Sequence, residues 1–148
     1  MRFEIDTETD ATPARVWAVL TDVECWPDWL ASYTSVERLD AGPLKVGSTA
    51  RVRQPGLVAA TYTVSALVPD VEFTWSSTSA GVRTTGRHVV RPLPDGRAGL
   101  LLSIDQSGLL AGPIGLLLGS KIRRFLSIES EGLRAAAEAP AGGDAARP

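Results

Sequence analysis

The chain has 148 residues, 44% of them hydrophobic and 22% charged, with a formal net charge of −2; that is enough for one domain with a real hydrophobic core. No basic block exceeds Arg123-Arg124, which argues against a nucleic-acid partner, because phosphate binding needs clustered lysine and arginine. One cysteine, Cys25, and one histidine, His88, rule out an internal disulfide and a multi-histidine metal site; no cofactor is expected.

Phe3, Ile5 and Thr7 alternate with Glu4 and Asp6, so residues 2–8 read as a first strand. The apolar core of a signal peptide is missing from this end, so a cytoplasmic location is the default expectation. Thr12 suits an N-cap with Pro13 at the first helical position, and Val16, Trp17, Val19 and Leu20 give that short helix an apolar face. A second short helix is expected over Cys25 to Leu30, with Pro27 near its start.

Strands then recur: Val36 to Leu39, Thr49 to Gln54, Ala59 to Val68, Val71 to Ser77, Val82 to Pro92 and Arg97 to Gln106. Gly42-Pro43, Pro55-Gly56 and Pro69-Asp70 punctuate them, and Leu93-Pro94-Asp95-Gly96 reads as a hairpin turn. With the first strand this makes about seven. A long helix is expected over Pro113 to Ala139, with Ile114, Leu117, Leu118, Ile122, Phe125, Leu126, Glu129 and Leu133 at helical spacing. Gly112, Gly115 and Gly119 each lower its propensity by ~1 kcal/mol, so packing must hold it, or it needs room beside it. The apolar run Gly108 to Leu118 is only about half of the ~20 residues of a membrane span and reads as a loop and a buried helix start. No integral membrane segment is expected, and the tail 140–148, rich in Ala, Gly and Pro, is expected to be disordered.

A long helix following a mostly antiparallel sheet packs across its concave face, and the two enclose a cavity. The order of elements, Thr12-Pro13-Ala14-Arg15-Val16-Trp17, Asp22 to Trp29 with its Trp-Pro-Asp-Trp, Val46-Gly47-Ser48-Thr49, Phe73-Thr74-Trp75 and Glu129-Ser130-Glu131-Gly132-Leu133 together carry a resemblance. Over roughly residues 1–136 the chain resembles the START-like (SRPBCC) superfamily, specifically polyketide cyclase/dehydrase and lipid-transport-like proteins. The resemblance implies an α+β helix-grip fold: a curved seven-stranded antiparallel sheet wrapped around the C-terminal helix, with two short helices after the first strand. One domain over 1–139 is expected. Such a fold does not settle chemistry.

Strand alternation separates the inward from the outward side chains. Val82, Thr84, Gly86, His88 and Val90 share one face, matched by Leu100, Leu102 and Ile104 on the next strand, with Ser103 and Asp105 opposite. Tyr62, Val64 and Ala66 share a face, as do Phe73 and Trp75. Between Arg51, Arg53 and the alternating Val52, the apolar member turns Gln54 inward and the arginines out. Trp17 and Trp26 are packing residues, whereas Trp29 and Trp75 are candidates for a pocket wall. Glu129 on the last helix either reaches the cavity or pairs at the helix edge with Arg15 or Arg134. Cys25 lacks a sequence signal that would bring His88 to it, so a thiol nucleophile is not expected.

The resulting ligand-site set is Trp29, Gln54, Tyr62, Phe73, Trp75, Thr84, His88, Leu102, Leu118, Ile122, Phe125 and Glu129. The leading reading is a container for a hydrophobic small molecule or lipid. A polyketide cyclase/dehydratase-like enzyme would have only His88, Tyr62 and Glu129 or Gln54 for acid–base work. A protein-interaction module, resembling the co-chaperone relatives of the fold, would present an exposed apolar patch at Gly108 to Leu118. The oligomeric expectation is monomer or homodimer.

Overall fold

The computed structural model describes residues 1–140 and contains seven strands and three α-helices. The strands are β1 (Arg2–Thr9), β2 (Ser35–Arg38), β3 (Thr49–Arg53), β4 (Ala60–Val68), β5 (Glu72–Ser79), β6 (Val82–Pro92) and β7 (Ala98–Ser107); the helices are α1 (Pro13–Thr21), α2 (Trp26–Trp29) and α3 (Ala111–Glu138). The sheet is antiparallel throughout, in the order β1-β7-β6-β5-β4-β3-β2. β1 and β2 are therefore its two edges, joined by the α1–α2 segment, while α3 packs on β1, β7 and α1. This is the helix-grip arrangement. The expected tail lies largely outside the described residues.

Local chemistry explains the elements. The Thr12 hydroxyl accepts from the Arg15 amide and Pro13 opens α1, which buries Val16, Val19 and Leu20. Trp26 is fully buried at the centre of an aromatic cluster with Tyr33, Phe73, Trp75 and His88, and its indole N–H donates to the Leu20 carbonyl at 3.2 Å. A buried tryptophan keeps its apolar area only when that one donor is satisfied.

Two expectations about side-chain direction fail. The β4–β5 register shifts between Val64 and Ala66, so Leu67, not Ala66, follows Val64 onto the inner face; Ala66 is exposed. One extra residue in a strand reverses every side chain beyond it. The start of α3 is not a buried apolar face either. Ala111, Gly115, Gly119, Ile122, Leu126, Glu129, Leu133 and Ala137 face inward, while Leu116 and Leu117 are exposed. Gly119 lies over the Phe3 ring, where an added Cβ would sit 3.6 Å from Cζ. The glycines thus let the helix approach β1, and the leucines turn outward as a consequence.

Candidate functional site

Between α3 and the inner face of β3 to β7 lies a cavity of about 110 Å3. An outer chamber of about 180 Å3 continues it toward Val58, Ala80, Val82 and Ile114, sharing Val52, Gln54, Leu57, Tyr62, Thr84, Gln106 and Leu118 with the inner one. Ten of the residues expected at a ligand site line the inner chamber: Gln54, Tyr62, Trp75, Thr84, His88, Leu102, Leu118, Ile122, Phe125 and Glu129.

Trp29 and Phe73 do not line it. Trp26 fills the space beneath the one-turn helix α2, and α3 passes so close to Trp29 and Leu30 that only a glycine, Gly132, fits there. Phe73 is fully buried and its ring stacks on His88, with centroids 4.2 Å apart. It supports the site from behind. Arg51, Arg53 and Asp105 are exposed, and Asp105 lies 3.9 Å from Arg2. Cys25, at the end of a 3-10 turn over Val23–Cys25, is not among the lining residues.

The polar centre of the cavity is built from three distant parts of the chain. Alternation along β6 points His88 inward, and Gly86 makes room for the neighbouring indole: a Cβ there would lie 3.2 Å from Trp75 Nε1. His88 Nδ1 is 3.2 Å from the Phe73 carbonyl oxygen. A carbonyl only accepts, so Nδ1 carries a hydrogen. His88 Nε2 is 3.3 Å from Glu129 Oε1, and both side chains are almost wholly buried. With Nδ1 protonated, that contact requires one further proton between the imidazole and the carboxyl group, on either atom. The Tyr33 hydroxyl donates to Glu129 Oε2 at 3.1 Å.

Burial, reinforced by the nearby Glu129 carboxylate, holds the Tyr33 phenol well above its ordinary pKa. Burial also raises Tyr62, although a hydrogen bond with Ser77 pulls the other way. Both phenols therefore remain donors across the working pH range. Glu129 does not pair with Arg15 or Arg134, contrary to one expectation; the Arg134 guanidinium meets Glu131 and Arg15 reaches the Ala136 carbonyl. A helix-edge pairing needs Glu129 at the rim of α3, whereas its phase with Ile122, Leu126 and Leu133 sets it inward.

Four polar residues at the inner chamber escaped the sequence reading: Tyr33, Gln106, and Arg87 and Ser103, which alternation assigns to the outward face. Tyr33 sits in the non-repetitive loop after α2, where no periodicity marks its direction. Gln106 was within reach: it continues the inward alternation of Leu102 and Ile104. Its side chain is buried against both chambers and its Oε1 has no hydrogen-bond partner. Among the described residues no cluster of three or more His, Cys, Asp or Glu is arranged to hold a metal ion, and no helix is long and apolar enough to cross a membrane.

A family model described as polyketide cyclase/dehydrase and lipid transport matches residues 1–138. The chain belongs to this family. Solved structures agree on the fold. The Zhui aromatase/cyclase from Streptomyces sp. R1128 superposes with a TM-score of 0.80 at 21% identity, over 97% of this chain and 98% of that one. A START superfamily protein from Mycobacterium smegmatis gives 0.71 at 16% identity, over 90% and 97%. A hypothetical protein from Helicobacter pylori gives 0.78 at 16%, over 93% and 86%. None of the curated proteins matches the chain. At these identities the likeness speaks for the family's fold and leaves its chemistry open.

Proposed function

We propose that the chain binds an apolar small molecule carrying at least one carbonyl or hydroxyl oxygen in the cavity between sheet and α3. The observation that carries this reading is the wall composition: Leu102, Leu118, Ile122, Phe125 and Trp75 around a few convergent polar groups, the usual make-up of a small-molecule site. Tyr62 and Trp75, with ring centroids 5.1 Å apart, offer an aromatic wall to a flat or unsaturated ligand. The buried Gln106 Oε1, which has no hydrogen-bond partner among the described residues, supplies an acceptor at the cavity wall. A hydrocarbon cavity of ~150 Å3 takes one benzene ring, so the inner chamber is sized for about one ring, with the rest of a longer ligand in the outer chamber.

Native mass spectrometry of the freshly purified protein, followed by denaturing extraction, tests this reading. A stoichiometric apolar compound supports it. A clean apo mass, together with no thermal shift across a library of lipids and polyketide-like phenols, refutes it.

The His88–Glu129–Tyr33 constellation favours a second reading, acid–base chemistry on the bound ligand. The pair holds one proton that can move to or from a ligand oxygen or an acidic carbon; the neutral Tyr62 phenol can donate to a developing oxyanion, while the Tyr33 hydroxyl is engaged in holding Glu129. Enolisation of a 1,3-dicarbonyl is the elementary step such a group performs: the pair takes a proton from carbon and passes its own proton to the carbonyl oxygen, ending with one proton as it began. Proton–deuterium exchange at the central carbon of a 1,3-diketone, followed by NMR, measures it. Equal exchange rates for wild type, His88→Ala and Glu129→Gln would refute the enzymatic reading while leaving binding intact.

A further inference from the structure

The outward leucines of α3 need a partner. Leu109 is 97% exposed, Leu116 84% and Leu117 79%, and Val58 on the facing β3–β4 loop is 82% exposed. Scattered exposed apolar residues mean little, but a set gathered at one end of one helix does not: Leu116 and Leu117 are neighbours in the first turns of α3, and Val58 lines the outer chamber with Ile114 and Leu118 of the same turns. These are not leucines that a small rotation of the helix would bury. Ile122, Leu126, Glu129 and Leu133 lock its phase against the sheet, and Gly115 and Gly119 face Met1 and Phe3.

Charge identifies the partner. Between Gln106 and Ile128 the chain has no acidic residue, but it has Lys121, Arg123 and Arg124. None of the three belongs to any ion pair among the described residues. Arg123 and Arg124 continue the exposed stripe of Leu116 and Leu117, about two turns further on. At 1.5 Å per residue the offset is roughly 10 Å. With the N-terminal end of α3 pointing into the surface, this axial offset sets the leucines deeper than the arginines, so the leucines reach the acyl boundary while Arg123 and Arg124 stay at the phosphates, which attract basic side chains. Lys121 adds a third cation beside the same mouth, next to Gly56 and 5.6 Å from the Phe125 ring centroid.

We propose that the Leu109–Leu117 face and Val58 dock on an anionic lipid surface, with Arg123 and Arg124 at the headgroups. A second copy of the chain would cover the leucines but, with no acidic residue between Gln106 and Ile128, this face would offer its own cations no partner. Val58 and Ile114 also line the outer chamber, so the docked face is the one on which the cavity opens.

Co-sedimentation of the full chain with vesicles tests the proposal, using phosphatidylcholine alone and phosphatidylcholine mixed with phosphatidylglycerol. Binding is expected only to the mixed vesicles and is expected to weaken with added salt. Arg124→Glu, at a side chain that contacts no ring, should cost at least about fivefold in affinity, and R123E/R124E more. L116S/L117S should lose about tenfold or more. Leu39→Ser, at an exposed leucine next to the edge strand β2, is the control and should bind as wild type. Circular dichroism of each variant verifies the fold. Absence of binding to the mixed vesicles overturns the proposal, as does binding indifferent to both double variants. A dimer in analytical ultracentrifugation that L116S/L117S disperses, without vesicle binding, would assign the face to a second copy instead.

Discussion

Replacing Gly132 by alanine should destabilise the protein, although the same change one helix face away should stabilise it. Both Gly119 and Gly132 lie well inside α3, where exchanging glycine for alanine is worth ~1 kcal/mol in helix propensity. Their surroundings differ. A methyl at Gly119 would rest 3.6–3.7 Å from the Phe3 ring, in ordinary contact. A methyl at Gly132 would collide with Leu30 Cδ2 and stand 2.8 Å from the Trp29 carbonyl oxygen. Leu30 is 1% exposed and cannot swing aside, and a backbone carbonyl cannot yield without moving α2. Overpacking costs typically 1–3 kcal/mol, and with a backbone carbonyl among the collision partners the upper part of that range, about 2–3 kcal/mol, applies, which exceeds the propensity gain. Gly132→Ala should thus lose about 1–2 kcal/mol net, a fall in Tm of roughly 2–8 °C, and Gly119→Ala should rise by about 2–4 °C. Thermal unfolding followed by circular dichroism, with urea melts for the free energies, reads both. Gly132 is less than one turn from Glu129, so the displaced helix should also lengthen the Tyr33–Glu129 contact. A Gly132→Ala variant that melts at or above wild type would refute the close-approach argument.

Three further outcomes are expected. In Asp40, hydrogen bonds from Arg38 first, then from the Thr49 amide and the Ser48 hydroxyl, hold the carboxyl well below the usual carboxylate range; a lowered folded pKa means stability present above about pH 4 and lost as pH falls toward the folded value. Asp40→Asn should therefore be less stable than wild type at neutral pH, with the gap closing in urea melts taken below about pH 4. Gln106→Leu removes a buried, unpartnered acceptor whose desolvation costs ~1–3 kcal/mol, so Tm should rise while the affinity of any ligand found by extraction falls; a variant with unchanged affinity would remove Gln106 from the site. Ala80 has φ 51° and Gly81 φ 77° at the β5–β6 turn, the left-handed pair that Asn-Gly prefers, so Ala80→Asn should gain about 1 kcal/mol in the same melts.

Much of the architecture was legible because it is written in local patterns. Thr12-Pro13 capped α1 as expected, Val82 to Pro92 became β6, and alternation along β6 turned His88 inward because side-chain direction in a strand is a property of the backbone alone. The inward Gln54 and outward Arg51 and Arg53 followed from the single apolar Val52 between them. Three things depended on contacts distant in sequence. The bulge after Val64 reversed the end of β4, since the pattern Tyr-Thr-Val-Ser-Ala-Leu fits either register until β5 pairs with it. The partner of Glu129 was decided by how α3 lies on the sheet, which brought His88, Glu129 and Tyr33 together, the last two 96 residues apart. The phase of the first turns of α3 was decided against hydrophobicity: close packing on Phe3 and Met1 claimed the glycines and left the leucines outside. The chain thus determines by itself which segments are strands and helices and which of their faces are apolar, because those preferences act over a few residues. Only the tertiary structure decides which polar groups share the cavity and which apolar ones remain on the surface, because these follow from the angle and distance at which α3 crosses the sheet.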